Sequence, residues 1–254
     1  MSELSKNKIK WLRSLHSKKS RDNENSYILE GEKMVQEAIH FKLEDILFIA
    51  HTSDFNLPSL PHSIEIISVN EKELGQISTL KTPNKAFAVL KQHKSSIEAQ
   101  QHELIIALDD IQDPGNFGTI LRIADWFGIH SIICSKGTVD CYNPKVVQAS
   151  MGAILRIEVK YVDLFEHLKS YSGKIYGAVL GGQNVYKTSL HNDGVLLMGN
   201  EGKGISPEIQ NLITDPISIP GFGHAESLNV SIATGILVSE FCRMKSLTEH
   251  RIER

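Results

Sequence analysis

The sequence predicts an α/β protein of two domains, and three observations carry that prediction. Short apolar runs of strand length alternate with stretches of helical periodicity along most of the chain. The 254 residues, 41% hydrophobic and 22% charged, supply apolar material for one large or two small cores. A polar stretch from Lys91 to His102, nearly free of large apolar side chains, lies between two strand-like runs and divides the chain. The resulting layout is a smaller N-terminal α/β domain over 1–91, a linker over 92–102 and a C-terminal domain over 103–254.

Taken in order, the apolar runs of the first domain are 46–50, 64–67 and 86–90. Those of the second are 104–108, 131–134, 157–159, 175–179 and 195–198, with helical patterns between most of them. Short buried strands joined by helical crossovers form a mostly parallel sheet with helices on both faces. Such a sheet receives its ligand at the carboxyl ends of its strands. Residues 229–245 read as one long helix with an apolar face.

Composition excludes several classes. No apolar run approaches the roughly 18 residues of a membrane span, and the first residues lack a secretory apolar stretch, so the expected location is the cytoplasm. Cys134, Cys141 and Cys242 lack the close pairing of a zinc site or redox dithiol, so no metal is expected and the thiols are read as reduced. A net charge of -3 argues against nonspecific coating of nucleic acid. The N-terminus is a local exception: Lys6, Lys8, Lys10, Arg13, Lys18, Lys19 and Arg21 face only Glu3 and Asp22, seven minus two or +5. Trp11, Leu12 and Leu15 interrupt these charges at helical spacing, which describes an amphipathic helix with either a merely solvated or a phosphate-binding polar face.

Three polar, glycine-rich clusters follow strands in the second domain. In residues 109–122, Pro114-Gly115 signals a turn before a helix that Asn116 is placed to cap; Asn116 and Arg122 are six apart and do not share a face. Residues 198–207 contain Gly199-Asn200-Glu201-Gly202-Lys203-Gly204, which is neither a Walker loop nor a dinucleotide fingerprint, and a plain strand-to-helix turn leaves Glu201 unexplained. In residues 217–231, Ile219-Pro220-Gly221-Phe222-Gly223-His224 leads to Ser227 and Asn229 at the head of the long helix, where either serves as a cap. His224 alone, in a glycine loop, is weak evidence for a general base.

In order and spacing, Asn116-x-Gly118-x-x-x-Arg122, Gly199-Asn200-Glu201-Gly202 and Ser227-Leu228-Asn229-Val230-Ser231 resemble the three motifs of the SpoU (TrmH) class of RNA ribose 2'-O-methyltransferases of the SPOUT superfamily. Residues 143–153 also resemble a stretch of that family, so the likeness spans 103–245. The resemblance implies a C-terminal trefoil knot, S-adenosylmethionine as methyl donor, RNA as substrate and a homodimer. It implies a catalytic set of Asn116, Arg122, Glu201, Ser227 and Asn229, and donor contacts at Gly199, Ile219 and Leu228, with a further contribution near Leu180. Because a guanidinium keeps its proton, Arg122 suits a phosphate clamp better than a base. One departure is Gly221, where many relatives carry Met after Ile-Pro.

Residues 27–38 resemble the start of a ribosomal-protein-like substrate-binding domain, which favours the RNA-contacting reading of Lys6 to Arg21 and ribosomal over transfer RNA. Three rivals stand beside this reading: a transfer-RNA 2'-O-methyltransferase, a non-catalytic RNA- or ribosome-binding protein of the same fold, and a generic nucleotide-binding α/β enzyme. The last lacks phosphate fingerprints. The second conflicts with suitable side chains at all five catalytic positions.

Overall fold

A computed structural model describes residues 4–93, 103–191 and 193–252, with side chains through 244. In chain order its helices are α1 Lys6–Ser14, α2 Lys18–Glu24, α3 Glu32–Phe41, α4 Glu71–Ile77, α5 Pro114–Trp126, α6 Pro144–Ser150, α7 Leu164–Lys169, α8 Pro207–Gln210 and α9 Val230–Ile252. The strands are β1 Ser26–Glu30, β2 Ile46–His51, β3 Glu65–Ser68, β4 Ala86–Lys91, β5 Leu104–Leu108, β6 Ser131–Ser135, β7 Glu158–Val162, β8 Ile175–Asn184, β9 Gly194–Met198 and β10 Asp215–Ser218. Two compact units result: residues 1–94 with 140–156, and residues 95–139 with 157–254. Of the linker expected at 92–102, residues 94–102 lie outside the described residues.

The first unit holds a four-stranded sheet in the order β1-β4-β2-β3. Only β2 and β3 pair parallel. Leu12, Leu15, Ile28, Phe48, Leu74 and Phe87 meet in its core. Strand β1 falls outside the sequence expectations because polar residues bracket its apolar centre. Its end residue Glu30 is buried all the same, since its carboxylate accepts from the Thr79 amide at 2.9 Å and from the Ser78 and Thr79 hydroxyls.

Residues 140–156, distant in sequence, fold with this unit for identifiable reasons. Arg21 is 2% exposed, donates to the Leu15 and His16 carbonyls at 3.1 and 3.0 Å, and pairs with Asp140 at 2.5 Å. The Tyr142 ring lies 4.5 Å from that of Tyr27, and burial pushes both phenols above the usual tyrosine range. Arg156 pairs with Glu37 of α3 at 2.9 Å. A cut at the linker alone therefore misses one segment of the first unit.

These interactions revise the basic N-terminal set. Arg21 is a buried structural cation and is removed from the expected RNA-contacting residues. Lys8 is committed to Glu65 and lies 4.7 and 4.8 Å from the ring centres of Trp11 and Phe48. Arg13 gives its Nε proton to the Gln76 carbonyl. Lys6, Lys10, Lys18 and Lys19 are exposed, Lys18 within 3.8 Å of Asp22.

The second unit is a six-stranded sheet in the order β10-β8-β9-β5-β6-β7, parallel at every pair. Alternate residues reach opposite faces. Ile105, Ala107, Val195 and Leu197 pack with Leu164 and Leu168 of α7 and Ile209 of α8. On the opposite face, Tyr176 meets Phe241 of α9 edge to face at 4.9 Å, and α9 packs against α5. Helices thus cover both faces, and the loops after β5, β8, β9 and β10 gather at the carboxyl ends of parallel strands.

Candidate active site

The first glycine-rich cluster opens α5 with Pro114 in its first turn, where a missing amide proton costs nothing. The cap is Asp113, whose side chain accepts from the Asn116 amide at 2.8 Å. Asn116 therefore does not cap the helix, contrary to the sequence expectation. Its carboxamide is left available instead: Nδ2 donates to Glu201 Oε1 at 3.0 Å, and Oδ1 accepts from Asn229 Nδ2 at 2.9 Å. Residues 113 positions apart in the chain are thereby joined side chain to side chain.

Asn229 does serve as a cap as well. Its Oδ1 accepts from the Ser231 amide and hydroxyl at 2.9 and 2.7 Å, at the head of α9. Both amide groups of the Asn229 side chain are thus engaged in one orientation, carbonyl toward α9 and NH2 toward Asn116. Glu201, Ser227 and Asn229 are exposed, and Asn116 is half-buried.

Glu201 is held by its neighbour. Asn200 Nδ2 donates to the Asp110 carbonyl at 2.7 Å, while Asn200 Oδ1 accepts from the Gly202 and Lys203 amides, each at 3.0 Å. Main-chain bonds of 2.9 Å in both directions link Asn200 to Gly204, closing the loop on itself. Asp110 sits at φ 56, a costly conformation for a side-chain-bearing residue, with its amide bound to Ser135 Oγ at 2.8 Å. Buried Asp109 accepts from the Ser206 amide at 2.7 Å and fixes the loop's exit. Sequence reasoning passes over Asn200, Asp109 and Asp110 as site residues. An Asn beside the unexplained Glu201 is the available signal, since Asn is apt to bond nearby backbone.

Gly199 has no room for a side chain: a Cβ would fall 2.3 Å from the Gly204 carbonyl carbon and the Ile205 amide nitrogen. Ile219 is half-buried and Leu228 is 48% exposed. Leu180, on β8, is 82% exposed. Leu180 and Leu228 thus leave apolar surface open beside glycine-containing segments of the chain. Among the described residues no cluster of His, Cys, Asp or Glu is arranged to hold a metal ion.

Among the described residues no hydrogen bond joins Arg122 or Ser227 to the trio. Arg122 is exposed on α5, one turn from Thr119 and Trp126. Thr119 and Ile123 of α5, with Tyr186 and with Ile232 and Ile236 of α9, line an open apolar groove. Trp126, on the same helix, is 84% exposed.

This architecture and this grouping of side chains define a class. The chain belongs to the SpoU rRNA methylase family, whose model matches residues 103–239; a second model, the MRM3-like substrate binding domain, matches residues 6–88. It is an S-adenosylmethionine-dependent RNA methyltransferase. Among particular proteins, it is similar to the 23S rRNA (guanosine(2553)-2'-O)-methyltransferase RlmP of Bacillus subtilis, at 32% identity over 91% of this chain and 94% of that one. A TrmH-family structure from Porphyromonas gingivalis superposes with a TM-score of 0.86 at 40% identity, covering 95% of this chain and 99% of the other. The AdoMet-bound rRNA methyltransferase of Sinorhizobium meliloti superposes at 0.82 with 30% identity, covering 96% and 97%.

Proposed function

We propose that this enzyme methylates the ribose 2'-oxygen of a nucleotide in 23S ribosomal RNA. The observation that carries the reading is the junction of all three motifs through Asn229, Asn116 and Glu201 at the carboxyl ends of parallel strands. Likeness to RlmP over nearly the whole of both chains supports 23S rRNA over transfer RNA. Such a substrate places the enzyme in the cytoplasm.

S-adenosylmethionine supplies a methyl group on a sulfonium sulfur. Gly199, Ile219 and Leu228 would hold its adenosine, with main-chain groups at its edges. Arg122 would clamp the phosphate beside the target ribose as a bidentate donor. Asn116, Ser227 and Asn229 would orient the ribose for in-line attack, since fixed geometry removes much of the entropic cost of a two-body reaction. The N-terminal domain, 1–91, would bind the RNA with Lys6, Lys10, Lys18 and Lys19 anchoring phosphates, and 103–254 would carry the chemistry.

The family's trefoil knot belongs to this reading. The strand order supports it: β10 lies at the sheet edge beyond β8, yet the next loop returns past β8 and β9 to Asn116 after β5. A homodimer belongs to it also. The bare apolar groove of α5 and α9 suits a second copy, and exposed Arg122 sits on α5 between the groove-lining Thr119 and Ile123.

The test is mass mapping of ribose methylation in 23S and transfer RNA from cells with and without the gene. One 23S position is expected to lose its methyl group in the deletion and regain it on complementation. No change at any position would overturn the reading, and loss in transfer RNA alone would move it to that substrate.

A further inference from the structure

We propose that Glu201 is the proton acceptor for the ribose 2'-hydroxyl; this rests on the methyltransferase reading above. When the hydroxyl oxygen attacks, a carbon–oxygen bond forms as the carbon–sulfur bond breaks, sulfur keeps the electron pair, and the hydroxyl proton must leave. Five side chains are candidates by their place in the three motifs. The amides of Asn116 and Asn229 do not take up a proton near neutrality, a serine hydroxyl does not, and the Arg122 guanidinium already holds its own. Glu201 alone among them is a carboxylate.

The hydrogen-bond polarity supports the same assignment. Asn229 gives its Nδ2 proton to Asn116 Oδ1, and Asn116 gives its Nδ2 proton to Glu201 Oε1. Asn229 is fixed in that orientation because its Oδ1 accepts from the Ser231 amide, which can only donate. Each carboxamide is thereby set in turn, and the chain ends on Glu201, whose Oε1 must be an acceptor. Asn116 occupies only that one carboxylate oxygen. Asn200 holds the adjoining backbone through three side-chain bonds, so that the carboxylate stays against Asn116 while remaining exposed to an incoming ribose.

The rival acceptor is His224, exposed in the loop that leads to Asn229. Glu201→Gln keeps an acceptor for Asn116 and removes the ability to take a proton, whereas His224→Asn removes the imidazole. Single-turnover methylation of a 23S fragment is measured for both, with calorimetric binding of S-adenosylhomocysteine and of the RNA as readouts independent of turnover. Loss of a general base slows chemistry by about 10²–10⁴-fold. Expected are a rate at least about 100-fold lower in Glu201→Gln with both bindings within about threefold of wild type, and His224→Asn within about threefold of wild type. Glu201→Ala should then be rescued by formate and not by formamide, which separates proton uptake from simple hydrogen bonding.

Turnover of Glu201→Gln within about threefold of wild type overturns the assignment, as does rescue by formamide equal to that by formate. Loss in His224→Asn with Glu201→Gln active transfers the role to His224. Should wild type itself fail to methylate the fragment while binding it, the substrate reading fails instead, and the two failures are distinguishable.

Discussion

Asn200 illustrates how one side chain sets the site without belonging to the reacting groups. It donates to Asp110 and accepts from Gly202 and Lys203, three bonds that hold the strand-to-helix loop in a single shape. Asn200→Ala is expected to destabilise the protein by only about 1–3 kcal/mol in urea unfolding, because the freed amides reach water. Its turnover should fall by more than about tenfold, a larger effect than the stability loss explains. Arg21 makes the opposite case. With Asp140 12% exposed and Arg21 2%, removing the cation leaves a largely buried carboxylate without its countercharge and with the Tyr142 amide, at 3.1 Å, as its remaining donor among the described residues. Arg21→Leu should cost about 3–5 kcal/mol in the unfolding of the first unit, and the rank order Arg21→Leu worse than Lys6→Leu is the check. Neither role is legible in the sequence. Arg21 reads as the last member of a basic cluster until Asp140, 119 residues away, is placed against it.

At the scale of elements, the same cluster divides by what each helix packs against. Leu12 and Leu15 anchor the N-terminal segment in the first core, which turns Lys6 and Lys10 outward, while Lys18 and Lys19 project from α2. Replacing Lys6, Lys10, Lys18 and Lys19 with Ala should flatten the dependence of log K on log salt by about 0.7 for each phosphate no longer neutralised. An unchanged slope in filter binding would return these lysines to the role of a solvated face. Among the elements, β5, β6 and β9 are legible because their centres are buried on both faces and read as unbroken apolar runs. Strand β1 is not, since its buried ends are Ser26 and Glu30, and the partners of Glu30 come from another part of the chain. The cap of α5 lies three residues before its expected place: Asp113 and Asn116 are equally good caps by type, and only the backbone geometry separates them.

For the whole molecule, the exposed apolar face of α5 and α9 is the feature that the monomer leaves unexplained. Tyr186 and Ile232, which line the groove, are more than half exposed, and so is Trp126 of α5, one residue before the groove-lining Phe127; scattered apolar exposure does not ordinarily gather in this way. Wild type is expected to sediment as a dimer. Trp126→Glu should weaken the dimer by about 2 kcal/mol or more, roughly 30-fold in dissociation constant, and lower turnover at concentrations where monomer dominates. A monomeric and fully active wild type would remove the groove from the mechanism.

By itself, the sequence determined the α/β class, the parallel sheet, the three motifs and, through their order, the family and its chemistry. Those features are local: apolar runs of strand length, glycines in loops and polar residues at fixed spacing are properties of neighbouring residues. Only the tertiary structure decided which polar residues cooperate. It joined Asn116, Glu201 and Asn229, buried Arg21 and drew residues 140–156 into the first unit. Hydrogen bonds and ion pairs between residues about a hundred positions apart depend on distances of ångströms, and spacing along a chain carries no record of those distances.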